Sequence, residues 1–554
     1  MQLNQSHSRR RIAAVAAVLA VALFAAACGG GSSKGESSGS GSGDSAAGKP
    51  KSGGTVNYGL EAETESYCIP EAQLAIAGIQ VARAVYDTLT APDDKAVYQP
   101  YLAKSVTPNA NFTEWTIVLR DGVKFHDGTA LDATVIKNNI DAWRGAYPGR
   151  SPLLFSFIYK PITAVDVVDP TTVKVTVDTP WPAFPAYLFN DGRSGIIGQA
   201  QLDDAKTCDA NMIGTGPFKL KEWKRGDHLS VVKNPDYWQK DANGTQLPYL
   251  DGMDFRPVTD ATTRVNALLA GELNALQDSG AETTDQMRQE SEQGKLNLTA
   301  TTDYTEVAYE LFNVSKPPFD NINARMAVIT AINRDQLNQV RHLGLSEMAS
   351  GPFAPGEVGY LKDTGYPEFD LKASKDFQDK YKAATGKDLE FTLVGTPDPG
   401  TTKLLQFLQE QLKTAGITAN VRTVEQAVLI NTALGDDWNM LDWRNHPGGN
   451  PDGQYIWWKT GSPVNFNKMN DPDMDALLDA GRAESDSAKA ATIYQDINKR
   501  FAQQGYNLWL NWVKWAIGTA PDVHGVYGPD LPEGGKPFTG LATGHPVLGL
   551  WISN

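Results

Sequence analysis

The sequence predicts a mixed α/β protein of two large lobes, with a β-rich unit inserted in the first. Three observations carry that expectation. A chain of 554 residues has room for several average domains or for two large lobes with an insertion. From about Val97 to Cys208 it is dominated by β-branched runs such as "WTIVL" and "ITAVDVVDPTTVKVTV", the latter broken at Asp169-Pro170. Further on, "LEFTLVG", "TTKLLQFLQEQLKTAG" and "ITANVRT" read as strand, helix and strand, with Gly416 in the helix C-terminal position.

Taken in order, the chain opens with Arg9, Arg10 and Arg11 before an apolar run, Ile12 to Ala27, that stops at Cys28. A basic, apolar and small-residue succession of this kind is an export signal. Ala25, Ala26 and Ala27 before a single cysteine resemble a bacterial lipobox, in which Cys28 becomes the lipidated first residue; ordinary secretion is the alternative, and "SRRRIA" also resembles a twin-arginine signal. The signal is therefore placed at 1–28 and a Gly/Ser-rich tether at 29–52, too poor in apolar residues to offset its ordering entropy. A lipid anchor and a tether would hold the folded part at the outer face of a membrane. Removing the three signal arginines takes the formal charge from −15 to −18, and no dense Lys/Arg run lies outside the signal, which argues against nucleic acid as partner. Once Cys28 is assigned to lipid, Cys68 and Cys208 remain for an oxidising compartment, either paired or separately buried.

After the tether, "GTVNYGL" alternates as a strand and Ile79, Ala82, Val85 and Tyr86 mark a helix. Next comes "LRDGVKFHDGTALDA", in which His126 directly precedes Asp127. Neighbours on an extended chain point to opposite faces, so the pair reads as part of a turn leading to a helix capped by Asp132, rather than as a catalytic or metal-binding pair. "TDATTRVNALLAGELNAL" supplies a helix capped near Asp260 and closed at Gly271. The second lobe is expected to begin near Tyr309; helices are expected near 473–484 and 487–504, and "LWLNWVKWAIG" reads as an aromatic strand.

"WTIVLRDGVKFHDGTALDA", "VDVVDPTTVKVTV", "GTGPFKL", "NPDYW", "ALLAGELNAL" and "PPFDNINARMAVITAINRDQL" together resemble the extracytoplasmic solute-binding proteins of ABC importers, of the peptide/nickel type that includes dipeptide and oligopeptide receptors. The resemblance implies two α/β lobes of the periplasmic-binding-protein kind around a cleft. The first lobe would be 53–308 with 515–554, carrying a subdomain at 96–210, and the second 309–514. It also implies a monomer that captures a small solute, most often a peptide, closes on it, and presents it to a permease and its ATPase subunits, without cofactor or metal.

A cleft ligand needs aromatic walls and a few polar groups. "LDWRNHPGGNPDGQYIWWKT" at 441–460 concentrates both: Trp443 to stack, Arg444, Asn445 and His446 to hydrogen-bond, Asp442 beside them. The bland alternative is a surface loop with buried tryptophans. In peptide receptors of this type an aspartate four residues before a proline holds the ligand's ammonium group; here Pro447 stands four places before Pro451, so a non-peptide solute such as a sugar or an organic anion stays open. On the first lobe the loop after the first strand offers Glu63, Glu65 and Tyr67, since ligands of open α/β sheets bind beyond the carboxyl ends of strands. At the crossings Tyr309, Phe312, Asn313, Trp509, Asn511 and Trp512 are candidates for the cleft floor, against the commoner reading of core aromatics. No P-loop, HExxH, GxSxG or CxxC is present and the histidines are scattered, so no enzyme is expected; a tethered sensor or chaperone with the same fold is a further alternative.

Overall fold

The computed structural model describes residues 48–553, apart from 153, 302–305, 447, 544 and 545. The signal, Cys28 and most of the tether lie outside the described residues. Among the described residues no helix is long and apolar enough to cross a membrane.

Two large sheets organise the fold. The first has seven strands in the order Asn297–Ala300, Ala516–Thr519, Ala275–Asp278, Thr55–Leu60, Gly252–Pro257, His228–Lys233 and Phe218–Lys224. The second has six: Glu347–Met348, Asn507–Val513, Glu306–Phe312, Met440–Asn445, Glu390–Gly395 and Thr418–Thr423. A separate four-stranded antiparallel sheet, ordered Ala103–Pro108, Glu114–Leu119, Thr172–Val177 and Ile162–Asp169, forms the β-rich unit. Its strands alternate, with Trp115, Ile117 and Leu119 buried against Val173, Val175 and Val177, as a half-buried antiparallel sheet requires.

The chain passes between the large sheets twice. Strand Asn297–Ala300 of the first is followed by Glu306–Phe312 of the second, so the second sheet begins three residues before Tyr309. On the return, "LWLNWVKWAIG" is two strands rather than one: Asn507–Val513 is buried throughout in the second sheet, Lys514 is exposed, and Ala516–Thr519 enters the first. Glu390–Gly395 and Thr418–Thr423 pair in parallel across helix Pro399–Thr414, completing the β-α-β unit.

Local chemistry sets the helix starts. Asp132 accepts the Val135 N–H at 2.9 Å and Asp260 the Thr263 N–H at 2.7 Å, each satisfying a donor that the first turn leaves free. His126 is structural: its Nε2 donates to the Gly216 carbonyl at 3.0 Å and its Nδ1 accepts the Gly214 N–H at 3.3 Å. Burial lowers its pKa to about 4, because a charged imidazole would lose both its hydration and the Gly214 bond. Cys68 and Cys208 are joined in a disulfide across 140 residues, their Cα atoms 5.0 Å apart, and the loop it closes contains the whole four-stranded sheet.

Candidate functional site at the seam between the lobes

Strand Glu306–Phe312 lies antiparallel to Met440–Asn445, with Tyr309 opposite Trp443, Ala308 opposite Arg444 and Glu310 opposite Asp442. Because side chains alternate, residues directly opposite share a face. One face therefore carries Glu306, Glu310, Asp442 and Arg444; the other carries Val307, Tyr309, Trp443 and Asn445. The second face is core. Tyr309 packs on Trp509 and Trp458 with ring centroids 4.9 and 5.9 Å away, and Trp443 meets Phe466 edge-on at 4.8 Å.

The charged face looks toward the first lobe. Thr55–Leu60 and Ala275–Asp278 are parallel neighbours, and immediately beyond their carboxyl ends stand Glu61 and Ser279. Arg444 Nη1 donates to Ser279 Oγ at 2.9 Å, while its guanidinium lies 3.5 Å from the Glu61 carboxylate and 3.7 Å from that of Glu306. From Glu306 the row continues to His446 Nδ1 at 3.6 Å; His446 Nε2 accepts from Arg193, whose Nη1 is 3.3 Å from Asp191. Glu61, Asp191 and Arg193 come from the first lobe, and Arg444 and His446 from the second. The row sets acids beside bases across the seam, with the neutral His446 between Glu306 and Arg193.

Electrostatics follows from this order. Burial pushes the Glu306 carboxyl up, but Arg444 and then His446 outweigh it and hold it below the usual range. Glu306 in turn raises the Arg444 guanidinium, so Arg444 stays charged although burial opposes it. Burial raises Glu61, with Arg444 opposing, and pushes Asp191 up to about 6, with Arg193 opposing. His446 is lowered to about 4 by burial and then by Arg193. Arg444 keeps 41% of its side chain exposed, so a solute entering between the lobes can reach it.

At the Arg193 end the seam opens into a cavity of about 290 Å³, mouth included, bordered by Tyr187, Asn190, Asp191, Arg193, His446 and Trp457. Asn190 and Asp191 both hold positive φ, 45° and 54°, an uncommon conformation for residues with a side chain and one that marks a constrained site. Asn190 Nδ2 is buried without a partner among the described residues. Gly448 closes in from the other lobe at φ +82°, and a Cβ built on it would overlap the Asp191 carboxylate.

Beyond the cavity the lobes meet through a different kind of contact. Asp452 is bonded through both oxygens to Arg482 Nε, at 3.0 and 3.1 Å, and accepts Trp181 Nε1 at 3.0 Å. Arg482 Nη2 donates to the Tyr187 hydroxyl at 2.9 Å, which itself donates to the Asp452 carbonyl at 2.7 Å. Arg482 also lies 3.4 Å above the Tyr455 ring.

Of the residues singled out in the sequence, Arg444, His446 and Asp442 face the seam. Trp443 and Asn445 do not, because the strand's period of two sends them to the core face. Tyr309 and Trp512 are on that side for the same reason, Trp512 packing edge-on against Tyr360 at 5.8 Å. Asn313 is fully buried and donates to the carbonyls of Asp436 and Trp438. The first-lobe loop reaches the seam through Glu61 rather than through Glu63, Glu65 and Tyr67. Glu63 instead accepts Trp223 Nε1 at 2.8 Å and the Gly226 N–H at 2.9 Å, the Glu65 carbonyl accepts Arg225, and Tyr67 is buried against Trp223. The hairpin Phe218–Lys224 and His228–Lys233 thus draws the loop away from the cleft. Glu61, Asp191, Arg193, Glu306 and Glu310 were missed. For Glu306 and Glu310 a signal existed: two acids four apart in "EVAYELF", hence on one face of an otherwise apolar strand.

The fold is one of two lobes that meet at a charged seam. Residues 97–467 match the bacterial extracellular solute-binding proteins, family 5, and the chain belongs to that family. It is 32% identical over 346 residues to the glutathione-binding protein GsiB of Salmonella paratyphi A and 31% identical over 347 residues to that of Escherichia coli O6:K15:H31. Each alignment covers 62% of this chain and 65% of the relative, slightly less than two thirds of the relative's length. Among solved structures, the oligopeptide-binding protein AppA of Bacillus subtilis in complex with a nonapeptide superposes with a TM-score of 0.79 at 22% identity, over 91% of this chain and 100% of that one. The binding protein AgaA of A. tumefacien R10 in complex with agropinic acid gives 0.79 at 24%, over 90% and 99%. These two share the fold.

Proposed function

We propose that this protein captures a zwitterionic, peptide-like solute between its lobes and delivers it to an ABC permease and its ATPase subunits. The observation that carries the reading is the row of acids and bases Glu61, Arg444, Glu306, His446, Arg193 and Asp191, contributed by both lobes. Its ion pairs are long, 3.3–3.7 Å, while Arg193 also donates to the Leu74 carbonyl at 3.0 Å, Arg444 to Ser279 Oγ at 2.9 Å, and Glu306 accepts Trp515 Nε1 at 3.0 Å. A ligand with an ammonium and a carboxylate can replace such pairs without leaving a charge uncompensated, the ammonium meeting Asp191 or Glu61 and the carboxylate meeting Arg193 or Arg444. A neutral sugar would leave these charges as they are. A simple anion would strand an acid. The bound solute would then bridge 53–308 with 515–554 to 309–514, and its differential affinity for the closed form would drive closure. The peptide and glutathione receptors among its relatives support a solute of this class.

On this reading the chain is a monomeric receptor and not an enzyme, exported and held at the outer membrane face through lipid on Cys28. Calorimetric titration with free dipeptides, glutathione, sugars and small organic anions tests it. The expected result is binding confined to the zwitterions; tight binding of a sugar or a simple anion, with none of the zwitterions, overturns it.

A further inference from the structure

Further along the charged face, away from Arg193, stands a group that the row does not use. Glu310 is fully buried, and neither of its carboxylate oxygens has a partner among the described residues. Directly across the strand pair is Asp442, a second carboxyl. An unpartnered buried carboxylate is costly, and two opposite each other more so.

The surroundings do not repair this. On helix Arg334–His342, Arg341 is the one cation acting on Glu310, but it donates Nη1 to the Gly400 carbonyl at 2.6 Å and is shared among Asp442, Asp398 and Glu282. From helix Pro399–Thr414 come Thr401, whose hydroxyl reaches Asp442 at 3.5 Å, and its capping residue Asp398, another acid. On Asp442's own strand Arg444 acts on Asp442 but is engaged by Glu306 and Glu61. Helix Ala281–Glu292 of the first lobe adds the acid Glu282, near Arg341. Acids outnumber available cations. Burial raises Glu310 well above its usual range, Asp442 adding to it, and burial raises Asp442 to about 6. Both shifts favour a proton on the pair. Asp442 is half-buried, so the pair is not wholly closed off from solvent.

We infer that Glu310 and Asp442 form a cation-selecting subsite that takes a second positive charge of the solute, the ammonium or guanidinium of a basic side chain, in exchange for a proton carried on one of the two carboxyls. The exchange balances: one positive charge enters, one proton leaves to solvent, and no bond other than O–H is broken. The inference rests on the zwitterion reading above and narrows it to basic solutes.

The test has two arms. In the first, wild type, Glu310→Gln and Asp442→Asn are titrated with Ala-Lys, Ala-Arg and Ala-Ala in buffers of different ionisation enthalpy. The basic dipeptides should bind wild type at least about tenfold more tightly than Ala-Ala, the scale of a charge-assisted bond, releasing close to one proton near pH 7. Either substitution should erase both the preference and the release. Equal affinity for the three probes, or proton release unchanged in Glu310→Gln, overturns the inference and leaves the zwitterion reading standing. The second arm needs no ligand: potentiometric difference titration of wild type against Glu310→Gln should reveal one group titrating above the ordinary carboxylate range that the variant lacks. If no dipeptide binds, the zwitterion reading fails and this arm decides whether that proton exists; its absence overturns the inference on its own.

Discussion

Two of the places where the lobes meet are built on opposite principles. At Asp452 the contacts are close: Arg482 Nε bonds both carboxylate oxygens, Trp181 donates to one of them, and the Tyr187 hydroxyl links Arg482 Nη2 to the Asp452 carbonyl. Along the row from Glu61 to Asp191 the charges stand 3.3–3.7 Å apart, and Arg444 remains partly exposed. A saturated cluster gains nothing from a ligand. A loosely paired one can exchange its partners for those of a solute. The first is therefore architecture and the second recognition, although both are ionic and both join the same lobes.

Breaking the saturated end should have the largest effect. Asp452→Ala leaves Arg482 buried without its counter-ion and should cost about 3–5 kcal/mol of stability, read by urea denaturation. Trp443→Ala checks that the two faces of the second sheet are separate. It should cost about 2–4 kcal/mol of stability, the scale of truncating a core aromatic, yet leave calorimetric affinity within about twofold of wild type. Arg444→Ala should differ in binding, with affinity for a zwitterionic dipeptide falling at least about tenfold, or about 1.4 kcal/mol. Its stability should also fall, by about 1–3 kcal/mol, because Glu306 is left buried without its main counter-ion.

A smaller effect is expected at Gly448, where a methyl group would both strain the positive φ and press on Asp191. Gly448→Ala should favour the open form, lowering affinity by about 1 kcal/mol and enlarging the radius of gyration in X-ray scattering with ligand. The smallest effect at neutral pH belongs to His126. Its folded pKa of about 4 lies below the unfolded value, so the unfolded chain binds more protons in between, and stability present above about pH 6.5 is lost as pH falls toward 4. His126→Gln should stay near wild type in stability at pH 7.5, and its unfolding midpoint should decline less steeply on acidification.

Much of the scaffold was legible because its signals are local. Asp132 and Asp260 cap the helices that follow them, Gly416 ends the helix of the β-α-β unit, and Asp169-Pro170 marks the turn of a hairpin, each decided by residues a few positions apart. The break in "LWLNWVKWAIG" was not legible, since both halves are apolar and only their assignment to different sheets separates them. The site was half legible. The segment 441–446 stood out by composition, but which members face the seam depends on strand phase, and that is fixed by pairing with Glu306–Phe312 more than a hundred residues away. Asp191 and Arg193 carry no local mark of function, and they acquire one only when Gly448 and His446 arrive from the other lobe.

The position of Ala516–Thr519 has a consequence for synthesis. This strand lies between Asn297–Ala300 and Ala275–Asp278, so the first sheet lacks an interior member until nearly the whole chain has been made. A nascent chain released residue by residue cannot finish its amino-terminal half first, as separately folding domains do; it must wait for its own carboxyl end, and pairings that distant form slowly. The growing polypeptide is thereby kept unfinished, and open to threading, for almost the full duration of translation.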